Sequence, residues 1–270
     1  MAALSISRAW DEARAVLRRD GRLYATVALA LFVIPGVLAE LITPVTPATT
    51  PGELPKPGVW TIITIVALLI SLVGQLAVCR LAIGPVISVG DAISQGARRA
   101  PAYIGAALLW ILPFMLAFGL LAAGGVSNPQ TMPTGIALAL LALMIAFLAI
   151  AVRLILGSPV AAAEPVGPVG ILKRSWALTR GHWLKLFGFL LLFVIALAIL
   201  VFAVSAVVGL LAALVFGPPE PLSVGALLLS LATQIVGAIV TTLLMIMLAR
   251  IYVQLVEHEY AAHATVPHAP

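Results

Sequence analysis

The chain has 270 residues, of which 63% are hydrophobic and 9% charged, and its mean hydropathy is +1.18. Soluble domains carry about 25% charged residues, so this composition excludes a chain folded wholly in water. The net charge of +5 by itself would be compatible with nucleic-acid binding, but the positions of the cations, described below, argue against that partner.

Taken in chain order, the apolar runs are continuous rather than alternating and rich in Leu and Ala. In lipid every backbone polar group must be paired within the structure, so runs of about 20 such residues predict membrane-spanning helices. We predict an all-α integral membrane protein with six transmembrane helices in a single membrane domain over residues 1–270. The predicted spans are 23–43, 59–80, 102–124, 134–156, 186–212 and 225–250. The uncharged stretch 184–216 is too long for one upright crossing and is expected to tilt or to project into water.

Three segments that precede odd-numbered spans have an amphipathic helical pattern. They are 4–19, 86–99 and 169–180. In the first, Ile6, Trp10, Ala13 and Leu17 form the apolar stripe; in the second, Val86, Gly90, Ile93 and Ala97; in the third, Val169, Leu172 and Trp176. Such segments are predicted to lie flat at the membrane surface. Each is followed by two spans, which predicts a pseudo-threefold repeat, although any six-span chain with short outer loops would show a similar order.

Cationic residues lie almost entirely on one side of the predicted topology. Of the fifteen Lys and Arg residues, all but Lys56 fall in segments on the side of the N-terminus. Because cytoplasmic loops carry an excess of Lys and Arg, we expect a bacterial inner-membrane protein with both termini in the cytoplasm. The basic excess is therefore a topology signal rather than evidence for nucleic-acid binding.

A basic, tryptophan-bearing run, "ILKRSWALTRGHWLKLFGF" at 171–189, leads into the fifth span. Lys and Arg are attracted to anionic headgroups by about 1 kcal/mol each near the surface, and Trp is enriched at headgroup depth. The candidate lipid-headgroup residues are Arg98, Arg99, Lys173, Arg174, Trp176, Arg180, Trp183 and Lys185. Two interpretations stay open: plain anchoring and orientation, or a cytoplasmic-side groove between the three interfacial helices that holds a phospholipid.

Residues for catalysis, cofactor binding or metal binding are not predicted. Cys79 is the single cysteine and is expected to be a buried apolar residue. In "HEYAAH", His258 and His263 are five residues apart, whereas a zinc-protease helix needs a spacing of four. We predict a flexible tail at 258–270. Glu40 is expected at the outer membrane interface.

Glu164 lies in an apolar, proline-broken linker, "SPVAAAEPVGPVG" at 158–170. Either its carboxylate faces the cytoplasm, or it pairs with a nearby base such as Arg153 or Lys173 and fixes the path of the linker. Arg153 and Glu164 are the candidate structural pair.

The run from Arg153 through Pro159, Glu164 and Gly167-Pro168 to "LKRSWALTRGHWLKLFG" resembles the membrane domain named for its fusion to glycerophosphoryl diester phosphodiesterases. The resemblance is specific over residues 153–188 and only general elsewhere. In fused members the phosphodiesterase is a separate soluble barrel, for which this chain has neither room nor motif. For standalone members the resemblance implies an inner-membrane protein connected with lipid or envelope upkeep, and it carries over no functional residue.

These observations predict a non-catalytic inner-membrane protein that contacts lipids or organises partners. The alternative is a transporter or exporter of an apolar or amphiphilic solute, which a water-accessible cavity reaching the membrane midplane would favour. An intramembrane enzyme ranks third, because facing acidic groups within the spans are not evident from the sequence.

Overall fold

The computed structural model describes residues 4–42, 58–85, 87–123, 133–217 and 223–264, which form helices and contain no strand. The helices are α1 (Ile6–Ala28), continued by a π-helical turn (Leu29–Val33) and α2 (Ile34–Ile42), then α3 (Val59–Ile83), α4 (Val89–Ala123), α5 (Thr134–Arg153), α6 (Gly157–Ala163), α7 (Pro168–Thr179), α8 (Trp183–Phe216) and α9 (Val224–Ala264).

Six helical stretches are long and apolar enough to cross a membrane. They are Ile6–Ile42, Val59–Ile83, Val89–Leu121, Thr134–Ala163, Trp183–Phe216 and Val224–Ala261. The described residues are thus all-helical, and the prediction of six helices long and apolar enough to cross a membrane is confirmed. At 34 residues, α8 is about 51 Å long, which exceeds the hydrocarbon thickness of about 30 Å.

One end of the bundle collects the cationic residues, and we call it the basic end. Arg80 and Arg153 lie in the last turns of α3 and α5, and Arg250 lies in α9 before its final turns. The Arg80 guanidinium Nε donates to Gln95 Oε1 over 2.8 Å, which joins the end of α3 to the start of α4.

Within the predicted flexible tail at 258–270, residues 258–264 are helical, because α9 continues through Ala264. Residues 265–270 lie outside the described residues. The α9 extension is held by ion pairs to α1 and α7, described below, which the tail's Ala- and Pro-rich composition did not indicate.

The buried core is concentrated at the basic end. Large side chains that are fully buried include Leu76, Leu156, Ile171, Leu186, Ile246 and Ile251. They come from the last third of α3, the segments around α6 and α7, the start of α8 and the middle of α9. In contrast, the most apolar 18-residue window of α8 contains no buried residue. Exposing apolar side chains to lipid carries no hydrophobic penalty, so the halves of the helices that lie away from the basic end need little packing. The basic end, in contrast, packs like the core of a soluble protein.

The faces by which α1 and α4 pack are rotated from the predicted apolar stripes. In α1, Ala9, Ala13 and Val16 are buried and the helix packs against α9, while Trp10 is 42% exposed. The backbone of Asp20 is non-helical (φ −120°, ψ 18°), which separates the predicted interfacial segment from the first span.

In the first part of α4, up to Ala100, the buried residues are Ala92, Gly96 and Ala100. Gly90 and Ala97, expected on the apolar edge, are exposed, and Val86 lies outside the described residues. A Cβ on Gly96 would lie 2.9 Å from the Val73 carbonyl oxygen of α3. Small residues thus let the two helices approach closely.

The π-helical turn of the first span has an identifiable cause in Pro35. Proline has no N–H and clashes with the carbonyl four residues earlier, which here is that of Leu31. The helix widens over Leu29–Val33, and the Ser71 hydroxyl donates to the Leu31 carbonyl over 3.3 Å. A hydroxyl on α3 therefore satisfies the carbonyl that Pro35 leaves without a partner.

Candidate functional site

Helix α7 is the centre of the basic end, and its boundaries follow from local sequence. Gly167 precedes Pro168, which occupies the first turn where no N–H is required. Gly181 has φ 85°, a conformation that glycine adopts without strain, and it lets the chain turn from α7 into α8. α7 is thus a separate 12-residue helix where the third interfacial segment, 169–180, is predicted.

Arg174 on α7 is bound by two carboxylates from other parts of the chain. Its Nη1 and Nη2 donate to the two oxygens of Glu259 on α9 over 2.9 and 2.6 Å, and its Nε donates to Glu164 Oε1 over 3.0 Å. The Tyr252 hydroxyl also donates to Glu164 Oε1, over 2.8 Å. The hydrogen bonds to Glu259, followed by those to Glu164 against the opposing effect of burial, raise the pKa of Arg174 above its ordinary value.

This arrangement pairs Glu164 with a nearby base other than the two named from the sequence. The carboxylate pairs with Arg174, not with Arg153 or Lys173, because the α6–α7 linker directs it toward α7 and α9. Arg174 itself is engaged in the protein, with its side chain 26% exposed, and its contact with a lipid headgroup stays a prediction.

Arg153 instead contacts an aromatic ring. Its guanidinium carbon lies 5.0 Å from the centroid of the Trp176 ring, a cation–π geometry, and Trp176 is 45% exposed. The Arg153 carbonyl accepts hydrogen bonds from the Ser175 and Thr179 hydroxyls over 3.1 and 3.0 Å. Within the described ranges, Arg153 has no carboxylate within 4 Å, so its charge is not neutralised by an ion pair there.

The α9 extension also holds the start of α1. Gln254 is 2% exposed. With its amide nitrogen facing the Ser5 carbonyl and its oxygen facing the Ala9 N–H, it forms two hydrogen bonds of 3.2 Å. Arg8 lies 3.7 Å from the Glu257 carboxylate. The last turns of α9 therefore connect α1 on one side with α7 on the other.

The remaining candidate headgroup residues divide into exposed and engaged side chains. Arg98, Lys173 and Arg180 are exposed, and Arg99 is half-buried. Lys185 Nζ donates to the Leu4 carbonyl over 3.4 Å. Trp183 donates its indole N–H to the Ala149 carbonyl over 3.3 Å and stacks on Phe187 at 5.4 Å.

A cavity of about 310 Å³ lies next to α7, between α4, α5, α6, α8 and α9. Its walls include Tyr103, Trp110, Ser158, Leu172, Leu190 and Met245. Trp110, Leu172 and Leu190 are only half-buried, so the space is reached from the surface of the bundle. Sequence reasoning predicted a groove between three interfacial helices but not this cavity; the only local signal was the run of small residues around Ala106, Ala107 and Gly157.

The polar atoms of the cavity wall are few, and that of Ser158 contacts a sulfur atom. Ser158 Oγ lies 3.7 Å from Met245 Sδ, which is 3.8 Å from Cys79 Sγ behind the wall. Within the part of the chain that the structure describes, no group of three His, Cys, Asp or Glu residues is placed to hold a metal ion. The chemistry of this site is that of an apolar space beside a cation, suited to binding an amphiphile.

The sequence of residues 4–255 matches the model of a family described as a domain of unknown function, DUF7847. The chain belongs to the DUF7847 family. No curated protein and no solved structure matches it. The family match does not test the resemblance of residues 153–188 to the membrane domain of the phosphodiesterase type, which stays a prediction.

Proposed function

We propose that this DUF7847 protein is a non-catalytic multi-pass protein of the bacterial cytoplasmic membrane that contacts anionic lipids of the cytoplasmic leaflet. Its role is that of a lipid-contacting or partner-organising module in envelope upkeep. The single observation that supports this proposal most strongly is the collection of cations at one end of six apolar helices. Of the fifteen Lys and Arg residues, only Lys56 belongs to a segment that the sequence assigns to the opposite side.

In this proposal the basic end faces the cytoplasm, with both termini there, as the positive-inside bias predicts. The first part of α1, the first part of α4 and α7 lie along the membrane surface as interfacial helices, each beginning one of three similar units. Trp10 and Trp176, both strongly exposed, lie at headgroup depth, where tryptophan is favoured.

The exposed cations Arg98, Lys173 and Arg180 attract anionic headgroups. Each contributes at most about 1 kcal/mol near the surface before salt screening. Engaged cations such as Arg174 act differently: they bind helices to one another.

The test measures the lipids that surround the protein when it is extracted with a polymer that preserves native lipid. We expect enrichment of anionic over zwitterionic lipid around the wild type. The triple variant R98Q/K173Q/R180Q is expected to lower that enrichment several-fold, whereas Lys56→Gln, in the segment between α2 and α3, leaves it unchanged. Equal enrichment in the triple variant and the wild type would contradict the proposal.

The alternative function, transport or export of an amphiphilic solute, predicts flux of that solute across vesicles containing the purified protein. Because the cavity wall is dominated by apolar side chains and the core of the basic end is closely packed, lipid contact is the function we favour.

A further inference from the structure

We propose that the cavity beside α7 binds one acyl chain of an anionic phospholipid, whose phosphate contacts Arg153. This inference rests on the proposed function and deepens it, because it assigns one lipid to one site instead of a general preference of the basic end.

The cavity has the properties of a chain-binding site. Its volume of about 310 Å³ lies at the lower end of the range typical of ligand pockets, about 300–1,000 Å³. The lining is apolar apart from the hydroxyl of Ser158 and the polar atoms of Tyr103 and Trp110. Trp110 is held by stacking on Phe147 at 4.9 Å, so this wall is formed by an ordered aromatic pair.

Arg153 supplies the complementary charge at the same place. It follows Ala151 and directly precedes Leu154, both of which line the cavity. Its ring partner Trp176 lies one helical turn after Leu172, another lining residue. Arg153 thus lies next to lining residues in the chain without lining the cavity itself, and a cation beside an apolar space fits the phosphate and the chain of one lipid.

Two other arginines near this end already have carboxylate partners, whereas Arg153, beside the cavity, does not. Arg174 is neutralised by Glu164 and Glu259, and Arg8 is paired with Glu12 at 2.7 Å. Arg153 is half-buried and, among the described residues, has no carboxylate within 4 Å. A partly desolvated cation without a counter-ion is costly, and a phosphate would supply one.

Lys173 adds a second cation on the same side of α7. It precedes Trp176 by three residues, which places both side chains on one face of the helix, and it is exposed. The site therefore favours an anionic phosphate headgroup over a zwitterionic one.

The experiment titrates delipidated protein in detergent with phosphatidylglycerol or with phosphatidylcholine of the same chains and counts bound lipids by native mass spectrometry. For the wild type we expect one tightly retained phosphatidylglycerol. Arg153→Gln is expected to weaken the preference for phosphatidylglycerol about fivefold, the factor contributed by one cation near the headgroups, whereas Arg153→Lys retains it. Arg18→Gln, an equal loss of charge on exposed α1 surface, is the matched control and leaves the preference unchanged.

A second pair of variants tests the chain. Ala107→Phe adds a ring to the cavity wall and is expected to abolish tight retention of both lipids. Ala146→Phe adds the same ring at an exposed position of α5 and retains it. Glycerol 3-phosphate, which has the phosphate without chains, is expected not to displace the bound lipid.

Undiminished retention in Ala107→Phe, an unchanged preference in Arg153→Gln, or displacement by glycerol 3-phosphate alone would overturn the inference. Thermal unfolding, followed by the reactivity of Cys79, shows whether each variant is folded. The Arg153→Lys variant tests the phosphate contact and the Ala107→Phe variant tests the chain-binding cavity, so the two parts of the inference are tested independently. If the Arg153→Gln and Ala107→Phe variants behave like the wild type while the triple variant R98Q/K173Q/R180Q loses anionic lipid, the specific site is wrong and the proposed function stands.

Discussion

Replacing Arg174 with methionine would remove the guanidinium that joins α7 to the α9 extension while preserving most of the side-chain volume. Two carboxylates, Glu164 and Glu259, would lose their charged partner. Tyr252 would still donate to Glu164, so Glu259 would lose more of its stabilisation than Glu164.

The expected magnitude follows from geometry and exposure. Fully exposed ion pairs contribute at most about 1 kcal/mol, and hydrogen bonds to charged groups contribute about 1.5–3 kcal/mol. The Arg174 side chain is 26% exposed and that of Glu259 39%, which lies between these cases. We therefore expect Arg174→Met to lower the free energy of unfolding by about 2 kcal/mol, or the melting temperature by roughly 5 °C.

Cys79 provides the assay. It is the single cysteine of the chain and is fully buried, so a fluorogenic maleimide reports its exposure as the protein unfolds on heating in detergent. Lys173→Met, which removes an exposed cation from the same helix, is the matched control and is expected to change the melting temperature by less than about 1 °C.

A double-mutant cycle that combines Arg174→Met with Glu259→Gln measures the interaction between these two side chains. We expect a coupling free energy of about 1 kcal/mol between Arg174 and Glu259. Additivity of the two variants to within about 0.3 kcal/mol, or an Arg174→Met shift no larger than that of the Lys173 control, would refute the reasoning.

Two further predictions concern helix packing. Gly96→Ala is expected to lower the melting temperature by several degrees, because its Cβ would lie 2.9 Å from the Val73 carbonyl oxygen. The control Gly119→Ala, where a Cβ meets nothing within 4 Å, is expected to leave the melting temperature unchanged. Equal melting temperatures of the two variants would contradict the close contact of α3 and α4. Gln254→Leu removes two buried hydrogen bonds at the start of α1 and is expected to lower the free energy of unfolding by about 1–3 kcal/mol. The same variant is expected to be cleaved faster by protease within residues 4–19. An unchanged cleavage rate would show that the Gln254 amide does not hold α1.

The six apolar helices were predictable from the sequence because lipid imposes a simple rule: long uninterrupted apolar runs must be helical. The break between α5 and α7 was also indicated, by the prolines and glycines of residues 158–170. This rule is nearly sufficient to predict the halves of the spans that lie away from the basic end, since their side chains are mostly exposed.

The packing faces at the basic end could not be read correctly from hydropathy. In α4, Ile93 and Ala97 favoured one edge, but the buried residues are Ala92, Gly96 and Ala100, and Gly96 makes the close contact with α3. Small residues carry little hydrophobic signal, yet they decide how near two backbones can come.

The pairing of Arg174 with Glu259 was missed for a different reason. Glu259 lies 85 residues after Arg174, in a segment whose composition suggested a flexible tail. Only the folded chain brings the α9 extension, the α6–α7 linker and α7 together, and the same arrangement forms the cavity. Sequence reasoning found the residues of this region but not which of them are neutralised and which keep a free charge.

The account as a whole requires that the basic end faces the cytoplasm, and cysteine labelling in intact cells tests this most directly. In a Cys79→Ser background, single cysteines are placed at exposed Ser94 near the start of α4 or at Lys56 and treated with a membrane-impermeant maleimide. We predict that the cysteine at position 56 reacts in intact cells and that the cysteine at position 94 reacts only after lysis. Labelling of position 94 from outside, with position 56 protected until lysis, would contradict the account.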